Sequence, residues 1–523
     1  MNLPLLGNIL WRKPTKPNGV SMQNILKKIL TSKVYAAAIE TPLEEATVLS
    51  QQLKNQVLLK REDLQPVFSF KLRGAYNRIA HLSEADRAKG VITASAGNHA
   101  QGVAFSGQKL GIKTVIVMPM TTPAIKVSAV KSFGAKVVLF GDNYSEAAEH
   151  CAHIAAQNGM VFIPPFDDEL VIAGQGTVAD ELLRQTSGNM DAVFVPVGGG
   201  GLLAGMALFL KALCPEVKVI GVEPVDSAAM AMSIEAKKRV RLDSVGIFAD
   251  GVAVREVGEL TFDICSKYVD EIIRVDTDEI CSAIKSVYQA TRSIVEPAGA
   301  LALAGLKRYA KERQIEGKTL VAINSGANMN FDRLRYVAER TLIGEKQEAL
   351  FAVTIPEEPG SLYRFCREVV GERNITEFNY RLSGRAAAHL FVGIAINGEE
   401  QRHAFRDQLG LSGFNSVDLT DNELAKTHVR YMVGGRCSDV ANEKLYRFWF
   451  PERPGALAKF LATMGADWNI SLFHYRMQGG DHGRVLIGLE IPPGQDRALV
   501  RFLDSLGYRY LEETNNSAYK LFL

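Results

Sequence analysis

The chain contains no run of the ~18 consecutive apolar residues that a membrane-spanning helix requires, so no such span is expected. Cysteine is also sparse. Six cysteines lie scattered at Cys151, Cys214, Cys265, Cys281, Cys366 and Cys437, and none forms a C-x-x-C pair. A large chain with so few cysteines is not a disulfide scaffold, and a reducing, cytoplasmic compartment is the simpler expectation. Charge of one sign is missing as well: 60 basic side chains stand against 58 acidic ones, a formal charge of +2. That balance gives no electrostatic case for nucleic acid or an anionic membrane. Met1 to Gly19 lack both the apolar core of a signal peptide and the Arg/Ser richness of a transit peptide. They read as a loose extension, with Met22 as an alternative start.

What remains is ordinary globular composition, 47% hydrophobic and 23% charged. At 523 residues the chain is too long for one hydrophobic core, which predicts two to four domains. From about Val57 to Asn324, short β-branched runs alternate with amphipathic helical stretches. The spacing predicts strands over 90–94, 114–117, 136–140, 192–197, 217–222 and 320–323, and helices over 98–110, 125–133 and 145–157. This alternation implies an α/β fold with a largely parallel, buried sheet.

After Arg340 the pattern changes. A charged connector, Gly344-Glu345-Lys346-Gln347-Glu348, leads into an internal repeat. Pro356-Glu357-Glu358-Pro359-Gly360-Ser361-Leu362 matches Pro451-Glu452-Arg453-Pro454-Gly455-Ala456-Leu457, 95 positions later. The same offset aligns Asn374-Ile375 with Asn469-Ile470, Phe378, Tyr380 and Arg381 with Phe473, Tyr475 and Arg476, and Gly393 with Gly488. Two copies of one small unit follow, each reading strand, Pro-Gly turn, helix, strand, strand, helix, strand. That is the ferredoxin-like α+β arrangement. Gly434-Gly435-Arg436 joins the copies, and the basic stretch from His428 to Arg436 reads as a linker.

Four segments carry chemistry. In Ser69-Phe70-Lys71-Leu72-Arg73-Gly74, a lysine between apolar residues opens a helix. Partial desolvation there would free its amine as a nucleophile toward an aldehyde. Alone, the ordinary reading of Lys71 is a surface lysine with a buried stem. In Ser95-Ala96-Gly97-Asn98-His99, small and polar residues turn a strand directly into a helix, which suits a carboxylate or a ring oxygen. An ordinary N-cap is the alternative, and for His99 a packing role is commoner than acid–base work.

In Gly198-Gly199-Gly200-Gly201-Leu202, four consecutive glycines between strand and helix make a backbone nest for a phosphate. Here a dinucleotide site competes: Gly199, Gly201 and Ala204 satisfy G-x-G-x-x-A, and Glu223 ends the next strand as a ribose-binding acid would. In Ser325-Gly326-Ala327-Asn328, Ser325 is suited to a heterocyclic nitrogen, or to a helix cap. Together the four segments describe a phosphorylated aldehyde cofactor, whereas a dinucleotide leaves Lys71 idle. His150, Cys151 and His153 look like metal ligands, but the two histidines sit in an amphipathic helix, and no metal is expected.

These segments resemble the fold-type II pyridoxal-phosphate enzymes. Lys71 followed by Leu-Arg-Gly-Ala resembles the threonine and serine dehydratases, and the tandem repeat resembles the biosynthetic threonine deaminase (threonine ammonia-lyase) family with its two ACT-like regulatory subdomains. The likeness covers nearly all of the chain after about Val34. Phe68 departs from relatives that carry His there, and Asn324 stands where an apolar residue is expected.

The resemblance implies a catalytic domain of two open, mostly parallel sheets flanked by helices. It implies pyridoxal 5'-phosphate carried on Lys71 beside Phe70, its ring oxygen at Asn98, its phosphate on Gly198, Gly199, Gly200, Gly201 and Leu202, and its pyridine nitrogen at Ser325. The loop Ser95, Ala96, Gly97, Asn98 and His99 would take the substrate carboxylate. The implied reaction is deamination of L-threonine, and more weakly serine, to the 2-oxo acid and ammonia, the first committed step of isoleucine biosynthesis. Isoleucine would inhibit and valine oppose it, through Pro359, Gly360, Leu362 and Asn374 of one repeat and Pro454, Gly455, Leu457 and Asn469 of the other. A homotetramer is expected on the same ground.

The expected divisions are an extension at 1–33, a catalytic domain at 34–340, a linker at 341–348, ACT-like subdomains at 349–422 and 444–523, and a linker at 423–443. The competing readings are a serine dehydratase or racemase of the same fold, and a non-catalytic amino-acid sensor.

Overall fold

The computed structural model describes residues 22–382, 387–432, 434, 437, 440–451, 455–464, 468–476 and 482–523. They form two compact units that divide between Thr341 and Leu342. None of the described helices is long and apolar enough to cross a membrane, and the six cysteines form no disulfide.

The first unit has ten strands: β1 (Leu43–Glu45), β2 (Gln56–Arg61), β3 (Val91–Ala94), β4 (Thr114–Met118), β5 (Lys136–Leu139), β6 (Val161–Phe162), β7 (Ala192–Pro196), β8 (Lys218–Pro224), β9 (Glu271–Val275) and β10 (Thr319–Asn324). They build a six-stranded sheet in the order β1-β2-β10-β7-β8-β9 and a four-stranded sheet in the order β5-β4-β3-β6. Every pairing is parallel except the edge strand β1 on β2. Every residue of β3, β4 and β7 is buried, as expected when helices cover both faces of a parallel sheet. The predicted strands and helices are present, the helix over 98–110 with the expected bounds and the others shifted by a residue or two at their ends.

The helices that position the site are α1 (Met22–Leu30), α2 (Lys71–Ala80), α3 (Asn98–Leu110), α4 (Tyr144–Asn158), α5 (Glu169–Thr186), α6 (Gly201–Leu213), α7 (Ala229–Glu235), α8 (Pro297–Arg313) and α9 (Arg333–Gly344). Two expected divisions change. Within the extension expected at 1–33, α1 packs its buried Ile25 and Ile29 into the core shared with α5 and α6, so residues 22–30 belong with the first unit. The start of the expected connector at 341–348 is the end of α9.

Two polar features lie inside this unit. Arg73 on α2, Glu181 on α5, Glu62 and Lys60 form a wholly buried cluster of two cations and two anions. The other is Asn324, fully buried at the end of β10 on the strand face of Leu320 and Ala322, with neither amide atom hydrogen-bonded. A buried amide without partners costs about 1–3 kcal/mol, and an apolar side chain of similar shape relieves that cost. Asn324→Leu is therefore expected to raise the urea midpoint of this unit by an amount worth about 1–3 kcal/mol. An unchanged midpoint would mean the amide is already satisfied.

Among the described residues of the second unit, the strands of the two repeats form one eight-stranded antiparallel sheet. The first supplies β11 (Glu348–Pro356), β12 (Ile375–Arg381), β13 (Ala387–Ala395) and β14 (Asn415–Asp418). The second supplies β15 (Glu443–Pro451), β16 (Asn469–Arg476), β17 (His482–Glu490) and β18 (Arg509–Glu512). The order β14-β11-β13-β12-β16-β17-β15-β18 joins the repeats edge to edge through β12 and β16. Phe378 pairs with Tyr475 and Tyr380 with Phe473. Since Phe378 is equivalent to Phe473 and Tyr380 to Tyr475, the pairing is reciprocal, an internal two-fold.

The repeats agree in detail. Glu348 accepts from Thr376, and Glu443 from Ser471. A Cβ at Gly393 or at Gly488 would fall within 2.7 Å of those hydroxyls, which is why glycine recurs there. The basic stretch read as a linker carries a structural residue: Arg430 is buried against Glu377 at 2.9 Å and Glu348 at 3.3 Å. Gly435 and Arg436 lie outside the described residues.

Candidate active site

The segment before Lys71 runs beside the segment after β10. Phe70 N–H donates to the Ser325 carbonyl (3.2 Å), Ala327 N–H donates to the Phe68 carbonyl (2.9 Å), and Ser69 bridges Gly326. The Asn328 amide donates to the Val67 carbonyl at 2.9 Å. Phe68 takes a left-handed φ of 55°, a strained turn for a bulky residue. These ties bring Lys71 and Ser325 together from positions 254 residues apart in the chain.

Lys71 opens α2, and its Nζ donates to the Pro165 carbonyl at 3.1 Å. Burial pushes its pKa down to about 8, with Glu296 partly opposing. A Cβ at Gly102 on α3 would meet the Lys71 and Leu72 backbone at 3.2 Å, so that glycine lets α3 lie against the lysine's turn.

At the C-terminal end of β3, Ser95, Ala96, Gly97 and Asn98 are half-buried around the start of α3. Nothing lies within 4 Å of a Cβ built on Gly97, so the approach to this helix N-terminus is open there. His99 turns away. It is buried, its Nε2 lies 3.0 Å from the Ile163 carbonyl, and burial, then Lys71, push its pKa down to about 3. Its neutral ring is a packing group, and only its backbone faces the loop.

The glycine nest follows β7. Gly200 has φ +93°, and a Cβ on Gly199 would lie 2.1–2.3 Å from the Phe166 ring. The Thr261 hydroxyl donates to the Gly199 carbonyl at 2.7 Å, and Leu202 is buried in the first turn of α6. Phe166 neighbours Pro165, which holds Lys71, so one loop connects the lysine to the nest. Glu223 settles the dinucleotide alternative. Its carboxylate accepts from Met230 N–H (2.9 Å) and Ala231 N–H (2.8 Å) at the start of α7, so it is spent as a helix cap. The Ser325 hydroxyl, also buried, donates to the Ala298 carbonyl at 3.1 Å.

These groups fit pyridoxal phosphate. An amine of depressed pKa, a nest in which a side chain would collide and a buried hydroxyl converge on one sheet edge. Beside Lys71 the buried Ser69 hydroxyl has no protein partner. The sequence reading missed Glu296, whose carboxylate accepts from the Asn98 amide at 2.5 Å, and the Pro165-Phe166 loop. A signal for the first existed: an acid between Val295 and Pro297, at the start of an apolar helix, has no reason to be there for solubility. His150 stacks on Phe140 at 3.9 Å, and Cys151 is buried on α4.

In the second unit the expected effector residues meet crosswise. Pro359, Gly360 and Leu362 of the first repeat line a pocket with Trp468 and Asn469 of the second. Gly455 and Leu457 of the second line another with Arg373 and Asn374 of the first. Pro454 lies outside the described residues. The pockets differ. The Asn469 amide donates to Glu490 (2.9 Å) and Glu357 (3.2 Å), whereas the position equivalent to Glu490 in the first repeat is Ala395.

Residues 34–326 match the model of the pyridoxal-phosphate dependent enzyme family, and residues 339–429 and 434–523 match the C-terminal regulatory domain of threonine dehydratase. The chain is 56% identical over 507 residues to the biosynthetic L-threonine dehydratase IlvA of Burkholderia multivorans, covering 96% of this chain and 100% of that protein. It is 52% identical to the enzyme of the same name from Escherichia coli, over 95% and 96% of the two chains. Among solved structures, the processed threonine deaminase isoform 2 of Solanum lycopersicum is similar with a TM-score of 0.61 and 50% identity, over 63% of this chain and 95% of that one.

Proposed function

Since the chain belongs to the biosynthetic threonine dehydratases of the pyridoxal-phosphate dependent enzyme family, we propose that it converts L-threonine to 2-oxobutanoate and ammonia under control of its C-terminal unit. The observation that carries the reading is the desolvated Lys71 amine, held between the glycine nest and the Ser325 segment.

Pyridoxal phosphate, when bound, supplies the electron sink that acidifies the substrate α-C–H. Gly198 to Leu202 would receive its phosphate on backbone N–H groups, Ser325 would meet its pyridine nitrogen, and Phe70 and Asn98 would help hold its ring. The Ser95 to His99 backbone at the start of α3 holds the threonine carboxylate. That fixes the α-hydrogen toward Lys71. The neutral Lys71 amine takes this proton at Nζ and returns one to the departing β-hydroxyl, which leaves as water. The released enamine tautomerises and consumes one water, so the balance is threonine to 2-oxobutanoate plus ammonia. Serine, lacking the γ-methyl group, is the weaker substrate.

The regulatory unit reads as two subdomains, 349–422 and 444–523, around the segment 423–443, following a catalytic domain that extends to about residue 340. The crosswise pockets, where Pro359, Gly360 and Leu362 face Asn469 while Gly455 and Leu457 face Asn374, are the sites for isoleucine as inhibitor and valine as its opponent, with Pro454 included from its place in the repeat. A homotetramer in the cytoplasm, with no nucleic-acid or membrane partner, completes the reading. The test is steady-state formation of 2-oxobutanoate from L-threonine with and without isoleucine. Turnover that isoleucine suppresses is expected. Absence of the keto acid overturns the lyase reading, and turnover indifferent to isoleucine overturns the regulatory one.

A further inference from the structure

We propose that Glu296 is a positioning residue for the cofactor: its buried side chain fixes the Asn98 amide in the orientation that leaves an N–H for the cofactor's ring oxygen. The proposal rests on the reading of Asn98 as the ring-oxygen contact given above.

Glu296 stands at the N-cap position of α8, yet its side chain does not cap that helix. It is 3% exposed, and its Oε1 accepts from Asn98 Nδ2 at 2.5 Å. Gly326 makes room for this pair, and Gly251 borders it at contact distance. A Cβ on Gly326 would lie 2.6 Å from Glu296 Oε1, and one on Gly251 would lie 3.4 Å from Oε1 and 3.6 Å from Asn98 Nδ2. At the other end of the amide, Asn98 Oδ1 accepts from Asn328 Nδ2 at 2.7 Å.

A side-chain amide offers a carbonyl at one end and two N–H donors at the other. With a donor facing its oxygen and an acceptor facing its nitrogen, a flip of Asn98 would set N–H against N–H and oxygen against oxygen. One Nδ2 hydrogen is left over, so Asn98 meets the cofactor as a donor. Remove Glu296 and the nitrogen end loses its acceptor, leaving Asn328 alone to oppose the flip.

The charged groups that bear on Glu296 are Asp250, Lys126, Arg333 and Lys71. Burial, then Asp250, push its carboxyl up to about 7. Carboxylate and acid both keep an oxygen that can accept from Asn98, so the lock does not require the charge. Glutamine at this position should keep it too.

The test titrates apoenzyme with pyridoxal 5'-phosphate, read by absorbance, alongside apoenzyme melting. Glu296→Ala and Asn98→Ala are each expected to weaken cofactor binding by about tenfold, the worth of one strong hydrogen bond. The double variant should be no weaker than Asn98→Ala by more than about twofold, because Glu296 acts only through Asn98. Glu296→Gln should stay within about threefold of the parent. Additive losses, an unaffected Glu296→Ala or a tenfold loss in Glu296→Gln would each overturn the proposal. If Asn98→Ala binds cofactor normally, the reading of Asn98 falls and this inference with it. If only Glu296→Ala binds normally, this inference alone falls.

Should Glu296→Ala not fold, a polarity swap decides. Asn98→Asp places two carboxyl groups together and should lower apoenzyme melting. Asn98→Asp with Glu296→Gln restores a donor–acceptor pair and should recover melting but not cofactor affinity, because position 98 then offers no N–H. Recovery of both would show a merely structural pair.

Discussion

Lys71→Ala is expected to lower turnover of L-threonine by on the order of 10⁴-fold, since one amine serves both as the cofactor's attachment and as the proton acceptor. The fold should survive. Among the described residues the Lys71 amine has one hydrogen-bond partner, the Pro165 carbonyl, and its burial is itself a cost. The folded pKa of about 8 lies below the ordinary value of 10.5. The unfolded chain therefore holds the proton more tightly, so stability rises with pH between those values and the full cost is carried below about 8. Alanine removes that cost, and the variant should melt no lower than the parent at neutral pH. The cofactor should still be retained through the glycine nest, with the absorbance of a free aldehyde. The same amine sets the pH dependence of cofactor uptake by the parent apoenzyme. The rate should rise about tenfold per pH unit below about 8 and level off above it. Stopped-flow absorbance measures the uptake, and a keto-acid assay the turnover. Turnover within about tenfold of the parent would falsify the assignment.

The four segments that carry the site were legible because each is local: a strand end, a small-residue turn and a helix start leave a continuous mark. The repeat was legible because a fixed offset survives divergence. What escaped is what only tertiary contact creates. Glu296 reaches Asn98 across 198 residues of chain, and Pro165 reaches Lys71 across 94. Neither carries a periodic signal. His99, for which packing was the commoner expectation than acid–base work, is buried against Ile163. The effector residues were grouped by repeat, whereas each pocket takes its loop from one repeat and its asparagine from the other. The edge-to-edge pairing of β12 with β16 sets that exchange, and no spacing within either copy encodes it. Residues 22–30 were counted with the extension because the surface they cover, on α5 and α6, is assembled far downstream.

Arg73 marked a family in the sequence, and in the structure it holds the start of α2 in place. A Cβ on Gly174 would fall 2.6 Å from the Arg73 carbonyl and 2.8 Å from Gly74 Cα, so α2 and α5 meet backbone to backbone. At that contact every guanidinium nitrogen of Arg73 donates. Nε and Nη2 grip Glu62 (both 2.7 Å), Nη1 reaches Glu181 (2.6 Å) and Thr177 (3.1 Å), and Nη2 also reaches Glu181 (3.0 Å). Lys60 supplies the second cation, 2.6 Å from Glu181. Burial alone would raise the Glu181 carboxyl, but Arg73 and then Lys60 hold it below its ordinary value.

Removing one member of such a cluster strands its partners, at a cost of about 3–5 kcal/mol, whereas removing the charges together costs far less. Arg73→Met should therefore lower unfolding stability by about 3–5 kcal/mol in urea melts, and Arg73→Met with Glu62→Leu by clearly less. The effect also depends on pH. A carboxylate held low in the folded state adds stability above its unfolded pKa, which is lost as pH falls through the folded value. The deficit of Arg73→Met should therefore be largest at neutral pH and shrink in acid. Because Lys71 lies two residues before Arg73, a loosened α2 should also weaken cofactor retention. A deficit below about 1 kcal/mol, or one that does not change with pH, would mean that Arg73 is not what holds these carboxylates in their charged form.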